Sequence, residues 1–115
     1  MYGSVFIQCK FKNTNLSGSF LAGADFRSVS AENVNFSGAD VRSANFSGLM
    51  MPLGPVSFDS KRINFSNAKM EKALLQRACL EGANFQGATL QGAYANSLTR
   101  WPAGFDPKAA GITVY

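Results

Sequence analysis

The sequence contains no histidine, the side chain that most often serves as a general base and as a zinc ligand. Its absence excludes the common catalytic triads, which depend on an imidazole. The chain has two cysteines, which are too few to form a zinc site by themselves. The sequence therefore predicts neither a metal centre nor nucleophilic catalysis assisted by histidine.

The chain also lacks a glycine-rich phosphate-binding motif and any apolar run long enough to cross a membrane. The stretch from Gly48 to Val56 is apolar but short, and it carries two prolines. Residues 1–4 have neither the basic region nor the apolar run of a signal peptide. We expect a cytoplasmic protein with no cofactor, no small-molecule substrate and no membrane partner.

Charge is scarce, because only 16% of the residues are charged. With 11 basic and 7 acidic side chains, the net charge of +4 favours anionic partners only weakly. At 115 residues, the chain has the length of a single domain with one core.

What the sequence does contain is a five-residue repeat, as in Ala24-Asp25-Phe26 and Ala44-Asn45-Phe46. A small or β-branched residue precedes each apolar centre by two positions, and this alternation is typical of a strand. Glycine, serine or asparagine often follows two positions after the centre, which predicts a bend. A chain that bends after every unit closes a coil, and coils stacked about 4.8 Å apart can pair as in a parallel sheet.

This pattern resembles the pentapeptide-repeat family, in which Ala, Asp or Asn, and Leu or Phe are followed by two variable residues. The resemblance covers about residues 4–97. It implies an all-β fold: a right-handed quadrilateral parallel β-helix solenoid with four units in each coil. Phe6, Phe26 and Phe46 would then stack in one interior column, and Phe65 and Phe85 would extend it.

The residue before each centre should point outward near a turn, where Asp and Asn side chains hydrogen-bond to the backbone. Cys9 occupies an inward position, which predicts a small buried hydrophobe, whereas Cys79 occupies an outward one, which predicts a surface thiol. A disulfide between them is not expected. The carboxylates lie scattered on convex faces without a cleft, so the sequence does not predict an enzyme.

The repeat fails between residues 49 and 62, which include two prolines that cannot donate to a ladder. Phe46 and Phe65 are 19 residues apart, so the second block of repeats is out of phase with the first. Either a distorted coil keeps the phenylalanine column, which we favour, or a loop is extruded and Phe65 takes the next face.

This break and the basic residues after it are the predicted partner-binding region, since irregular loops often carry function. The alternative is a bulge that folds its apolar residues back on the coil. The candidate residues are Met50, Met51, Leu53, Phe58, Lys61, Arg62, Lys69, Lys72 and Arg77.

The sequence predicts a repeat domain over residues 1–98 and a C-terminal cap over residues 99–115. Asp106-Pro107 suits the start of a helical turn and Gly111 its end. Trp101, Phe105, Ile112 and Val114 should cover the last coil. The Trp-Pro-x-Gly-Phe-Asp-Pro string is similar to the ends of many cyanobacterial family members.

We expect no comparable cap over the first coil, which invites pairing with a second copy, with another protein or with more of the same chain. The sequence thus favours a structural or protein-interaction module with an unidentified protein partner. One alternative is a DNA-mimicking gyrase binder, as in some family members, but mimicry of DNA needs a negative surface. The other is weak nucleic-acid binding through the basic patch, which the modest net charge of +4 does not favour.

Overall fold

The chain bends after every five-residue unit in the computed structural model, which describes residues 4–50 and 63–115. The backbone N–H of Cys9 donates to the carbonyl of Phe6 at 3.1 Å, and equivalent bonds recur in the following units. The third residue of each such turn has a positive φ, as in type II turns. These residues are glycine, serine or asparagine at most corners, with Gln8, Lys72 and Arg77 as further examples. The bend that the sequence predicts at glycine, serine and asparagine two positions after a centre is confirmed.

Successive coils pair in parallel. Strand β1 (Lys10–Lys12) pairs with β2 (Ser30–Glu32), and β3 (Tyr94–Ala95) pairs with β4 (Thr113–Val114). Isolated parallel bridges join the other rungs, where a rung is one side of a coil between two successive corners. The first coils advance by 20 residues, as between Asn13 and Asn33. The described residues contain strands but no helix, so the fold is an all-β solenoid.

The apolar centres point inward and form columns that define four faces. A backbone hydrogen bond links each centre to the rung above it, which fixes the columns. Face A contains Phe6, Phe26, Phe46, Leu75 and Ala95; face B contains Phe11, Ala31 and Leu80; face C contains Leu16, Phe36, Phe65 and Phe85; and face D contains Leu21, Val41, Met70 and Leu90.

The predicted phenylalanine column is correct for its first three rings and wrong for the last two. Phe26 stacks on Phe6 and on Phe46, with centroids 4.9 Å apart in both pairs. Phe65, however, stacks on Phe36 at 5.1 Å and meets Phe46 edge to face. The second block therefore continues face C, and Leu75 takes the place above Phe46.

The physical reason is the length of the interrupted coil. Ser47 and Gln76, which lie on adjacent rungs, are 29 residues apart instead of 20. The described chain stops at Met50 on face B and resumes at Ile63 on face C. The predicted column through Phe46 and Phe65 is therefore wrong, and Phe65 lies one face beyond the next face, which the alternative gave it. Whether the break is a distorted coil or an extruded loop lies outside the described residues.

The last residues cover the upper end of the core. Asp106 Oδ1 accepts from the backbone N–H of Lys108 and Ala109, and Ala110 N–H donates to the carbonyl of Asp106, which makes one helical turn but no helix. Gly111 follows with a φ of +84°, as predicted for the end of this turn.

Aromatic rings of this segment close the column of face C. Phe105 lies 5.1 Å from Phe85 between ring centroids, and Trp101 packs on Phe105 at 5.2 Å. Ile112 is buried, but Val114 keeps 37% of its surface exposed, so its predicted role as a cover is only partial.

Cys9 is exposed, so the prediction of a buried hydrophobe is wrong for this residue. It lies on the first described coil, where Phe6 and Phe11 are also only half-buried, whereas Ala24 and Phe26 one coil later are fully buried. Cys79 is half-buried and both thiols are free. No helix that could cross a membrane occurs in residues 4–50 and 63–115.

Candidate protein-binding surface

The residues before the centres point outward, and their side chains are held by the backbone. Asn35 Oδ1 accepts from the N–H of Ser37, and Asn64 Oδ1 from that of Ser66, both at 2.9 Å. This confirms the predicted hydrogen bonding. Face C carries four such residues in line: Asn15, Asn35, Asn64 and Asn84.

Two aspartates in the same position bind both the backbone and an arginine. Arg27 donates from Nε and Nη2 to Asp25, and Arg42 makes the same two-pronged contact with Asp40. The Arg27 side chain that donates to Asp25 lowers the pKa of that carboxyl from its usual 3.8, and Arg42 lowers the pKa of Asp40 likewise. The positive charge of each arginine is thereby neutralised by the aspartate two residues before it.

Two more cations are paired between coils. Lys12 lies 3.9 Å from Glu32, and Arg100 lies 3.3 Å from Glu81. By contrast, Lys69, Lys72 and Arg77 in the second block make no ion pair with any residue that the structure describes, and in the first block the same is true of Lys10. Uncompensated positive charge is therefore concentrated in the second block of repeats.

Face A changes character along its height. The position before the centre holds the exposed Val5 on the lowest rung and Asp25 and Asn45 on the next two. On the two rungs above these it holds Leu74 and Tyr94, so that only there do two apolar residues follow each other in successive parallel bridges. Leu74 is half-buried and Tyr94 is 41% exposed. Sequence reasoning missed both residues, although the loss of Asp or Asn at their position was a usable signal.

Polar and aromatic neighbours surround this apolar pair. Strand β4 places Thr113 beside Tyr94. The Gln76 amide donates to the hydroxyl of Tyr115, whose side chain is 68% exposed. We call this surface upper face A; its members are Leu74, Gln76, Tyr94, Asn96, Thr113 and Tyr115.

Leu74 lies on the rung between two corners, and Lys72 occupies the corner before it and Arg77 the corner after it. Both have left-handed backbones, with φ of 61° and 58°. The Lys72 stem leans toward the next rung, since its Cγ lies 3.5 Å from where a Cβ on Gly92 would stand. A Cβ at Gly92 would make ordinary van der Waals contact with this stem, and the positive φ of +74° is what disfavours a side chain there.

The structure separates the predicted candidates. Lys72 and Arg77 share one rung, Lys69 lies on face D next to Asp40, and Met50 lies on face B with 49% exposure. The backbone N–H of Cys79 donates to the carbonyl of Leu49, so Met50 lies just below the rung of Arg77. The remaining candidates lie outside the described residues: Met51, Leu53, Phe58, Lys61 and Arg62.

Open depressions lie on the part of the surface that the structure describes. An open depression of about 480 Å³ is lined by Ala22, Arg42, Ser43, Glu71 and Lys72. The Thr89 hydroxyl donates to the Glu71 carboxylate there. Within residues 4–50 and 63–115, no group of three or more potential metal ligands comes together. Flat faces with exposed side chains suit contact with another macromolecule better than enclosure of a ligand.

A family model described as pentapeptide repeats matches the chain in eight copies, over residues 5–48 and 61–95. No curated protein sequence matches the chain. The crystal structure of alr5209, a pentapeptide repeat protein from Nostoc Pcc 7120, superposes with a TM-score of 0.81. Its sequence is 27% identical, and the match covers 98% of this chain and 86% of that one.

Two further solved structures are less similar. A pentapeptide repeat protein from the cyanobacterium Cyanothece 51142 is 19% identical with a TM-score of 0.48, and the match covers 87% of this chain and 89% of that one. HetL from Nostoc sp. strain PCC 7120, described as involved in heterocyst differentiation regulation, is 26% identical with a TM-score of 0.35, over 80% of this chain and 46% of that one.

Proposed function

Since the chain belongs to the pentapeptide-repeat family, whose fold is a structural repeat, we propose that it is a non-enzymatic module that binds another protein. The faces are joined rung to rung by backbone hydrogen bonds, so their outward side chains stand at fixed positions. Such a surface is preorganised and loses little conformational freedom on binding.

One observation carries this proposal. Leu74 and Tyr94 occupy outward positions that hold Asp25 and Asn45 on the same face, so apolar surface replaces residues that stabilise the turns. A tyrosine on a rigid surface is a frequent anchor of protein interfaces. The exchange therefore supports a role in recognition.

The break at residues 49–62 and the basic residues after it remain part of the proposal as a second contact region, as does the homodimer through the first coil. Phe6, Phe11 and Leu16 are half-buried there, which is consistent with a further partner. Sedimentation at micromolar concentration tests the homodimer, and a monomer at all concentrations contradicts it. A cytoplasmic location also remains a prediction.

Site-directed photocrosslinking in the source cell tests the module itself. A photoreactive residue at Tyr94 should trap one protein or a small defined set, whereas the same residue at Asn35 on face C should not. Both positions precede a centre and have a rung above and below, so their backbone settings match, although the Asn35 side chain also accepts from the N–H of Ser37. Identical products at the two positions, or none at either, contradict the proposal.

The two alternative functions receive less support. The carboxylates of Asp25, Asp40, Glu32 and Glu81 are paired with cations, which leaves little negative surface to imitate DNA. Lys69, Lys72 and Arg77 lie on one face and two corners instead of forming a continuous stripe. We expect gyrase supercoiling to be unaffected and no salt-sensitive shift of nucleic acid in a gel.

A further inference from the structure

We propose that upper face A binds an extended acidic segment of the partner protein. Apolar side chains of the segment would lie on Leu74 and Tyr94, and its carboxylates would reach Lys72 and Arg77. The inference rests on the proposed function, because it names the chemistry of the partner for that module.

The charge distribution supports an acidic partner. On face A, Asp25 is already paired with Arg27, and the described residues of upper face A include no acidic side chain. Glu71 adjoins Lys72 in the chain, but its carboxylate accepts a hydrogen bond from Thr89 on face D. Lys72 and Arg77 thus bracket an apolar strip as two cations without an ion-pair partner in the described structure.

The backbone at these two cations is unfavourable. A left-handed conformation costs a residue with a side chain about 1 kcal/mol or more, and such positions cluster at functional sites. The same corner columns hold Ser43 and Gly92 next to Lys72, and Gly48 next to Arg77. Two long cations therefore occupy corners that hold glycine or serine on the neighbouring rungs, a position that the uncharged Gln8 also takes on the first coil.

The geometry sets the spacing of the ligand. Lys72 and Arg77 are five residues apart and can be separated by no more than about 16 Å along the rung. An extended peptide rises about 3.3 Å per residue, so two carboxylates about four to five residues apart would reach both cations. Leu74 and Tyr94, about 4.8 Å apart on adjacent rungs, would contact the apolar residues between them.

A nucleic acid is the competing ligand for unpaired cations. It would follow a continuous run of positive charge, and its phosphates would gain nothing from Leu74. The apolar centre of the surface favours a peptide. A short polythymidine strand is included in the test to separate the two ligands.

The test selects random 12-residue peptides displayed on phage against the folded chain, and then measures binding of the enriched peptides as fluorescent synthetic copies. Leu74→Asn and Tyr94→Asn restore the type of residue found at Asn45, so both variants should fold. Lys72→Glu and Arg77→Glu reverse the charge. Lys10→Glu is the control for charge reversal away from this surface, since Lys10 is an exposed cation in strand β1 on the first coil without an ion pair in the described structure.

We expect enrichment of peptides in which acidic residues flank apolar ones. Loss of an interface tyrosine should weaken binding about thirtyfold. Each charge reversal should weaken it about five- to tenfold at low salt and less at high salt. Lys10→Glu should leave the affinity unchanged.

Three results would overturn the inference: enriched peptides without excess acid, affinities indifferent to the four variants, or tighter binding of polythymidine than of any peptide. If peptides bind but the four variants do not affect them, the interaction module stands and only its assigned surface fails. If no peptide is enriched and photocrosslinking at Tyr94 traps no protein, both proposals fail.

Discussion

The ring of Phe65 stacks on the ring of Phe36, with centroids 5.1 Å apart and planes inclined by 12°. Their rungs are joined by a hydrogen bond from the Phe36 N–H to the carbonyl of Asn64. The second block of repeats thus resumes the same four columns, beginning on face C. The solenoid core is continuous across the interruption.

Phe65→Ala should lower the free energy of unfolding by about 3–5 kcal/mol, because the ring is fully buried between two others and its removal leaves a cavity. Phe6→Ala is the control, since Phe6 is only half-buried on the first coil and should cost clearly less. Urea denaturation followed by circular dichroism measures both. Equal losses would show that the two rings are equally buried, contrary to the structure.

The repeat could be predicted from the sequence because the residues of each five-residue unit determine the local structure of that unit. Phe26 buries its ring, Asp25 binds the turn, and Ser28 accepts a positive φ, all within four residues. The register after the break could not be predicted in this way. It depends on how the two blocks meet in space, and the spacing of Phe46 and Phe65 along the chain carries no information on that.

The candidate surface was predictable only in part. The unpaired cations Lys72 and Arg77 were found from their clustering in sequence, whereas Lys69 proved to lie on another face. Leu74 and Tyr94 were missed because they are 20 residues apart in the sequence, and a single exposed apolar residue does not indicate a binding surface. They become a surface only when the coil places them on adjacent rungs.

Asn64→Ala should destabilise the fold by about 1 kcal/mol, because the N–H of Ser66 loses its acceptor in a half-buried turn. Lys69→Ala changes the same position of the next unit, where the side chain holds no turn in the described structure, and should have almost no effect. Thermal unfolding compares the two variants. A similar loss in both would mean that the side-chain hydrogen bond contributes nothing.

Gly38→Ala should destabilise the fold by about 1 kcal/mol through its backbone alone. Gly38 has a φ of +67°, and a Cβ there would meet no atom within 4 Å, so crowding cannot contribute. Gly38→Asn should cost less, because asparagine tolerates this conformation and Asn67 adopts it with a φ of 57° on the adjacent rung. If alanine is tolerated as well as asparagine in chemical denaturation, backbone strain does not govern this corner.

The ion pairs of Asp25 and Asp40 should make stability fall in acid. Both carboxyls have a pKa below the usual 3.8, chiefly because Arg27 and Arg42 donate to them, so folding favours the charged forms. Their contribution is fully present above the unfolded value and is lost as the pH drops through the lower folded value. Solvent screens these exposed pairs, so the effect should be small.

The variant Asp25→Asn with Asp40→Asn isolates this effect, since asparagine keeps the backbone hydrogen bond, as Asn45 does with Ser47. The original chain should be more stable than the variant at neutral pH, and the difference should shrink below about pH 4 and disappear in stronger acid. Urea denaturation at a series of pH values follows it. A difference that stays constant down to pH 2, or grows on acidification, would show that the arginine contacts do not favour the charged carboxylates.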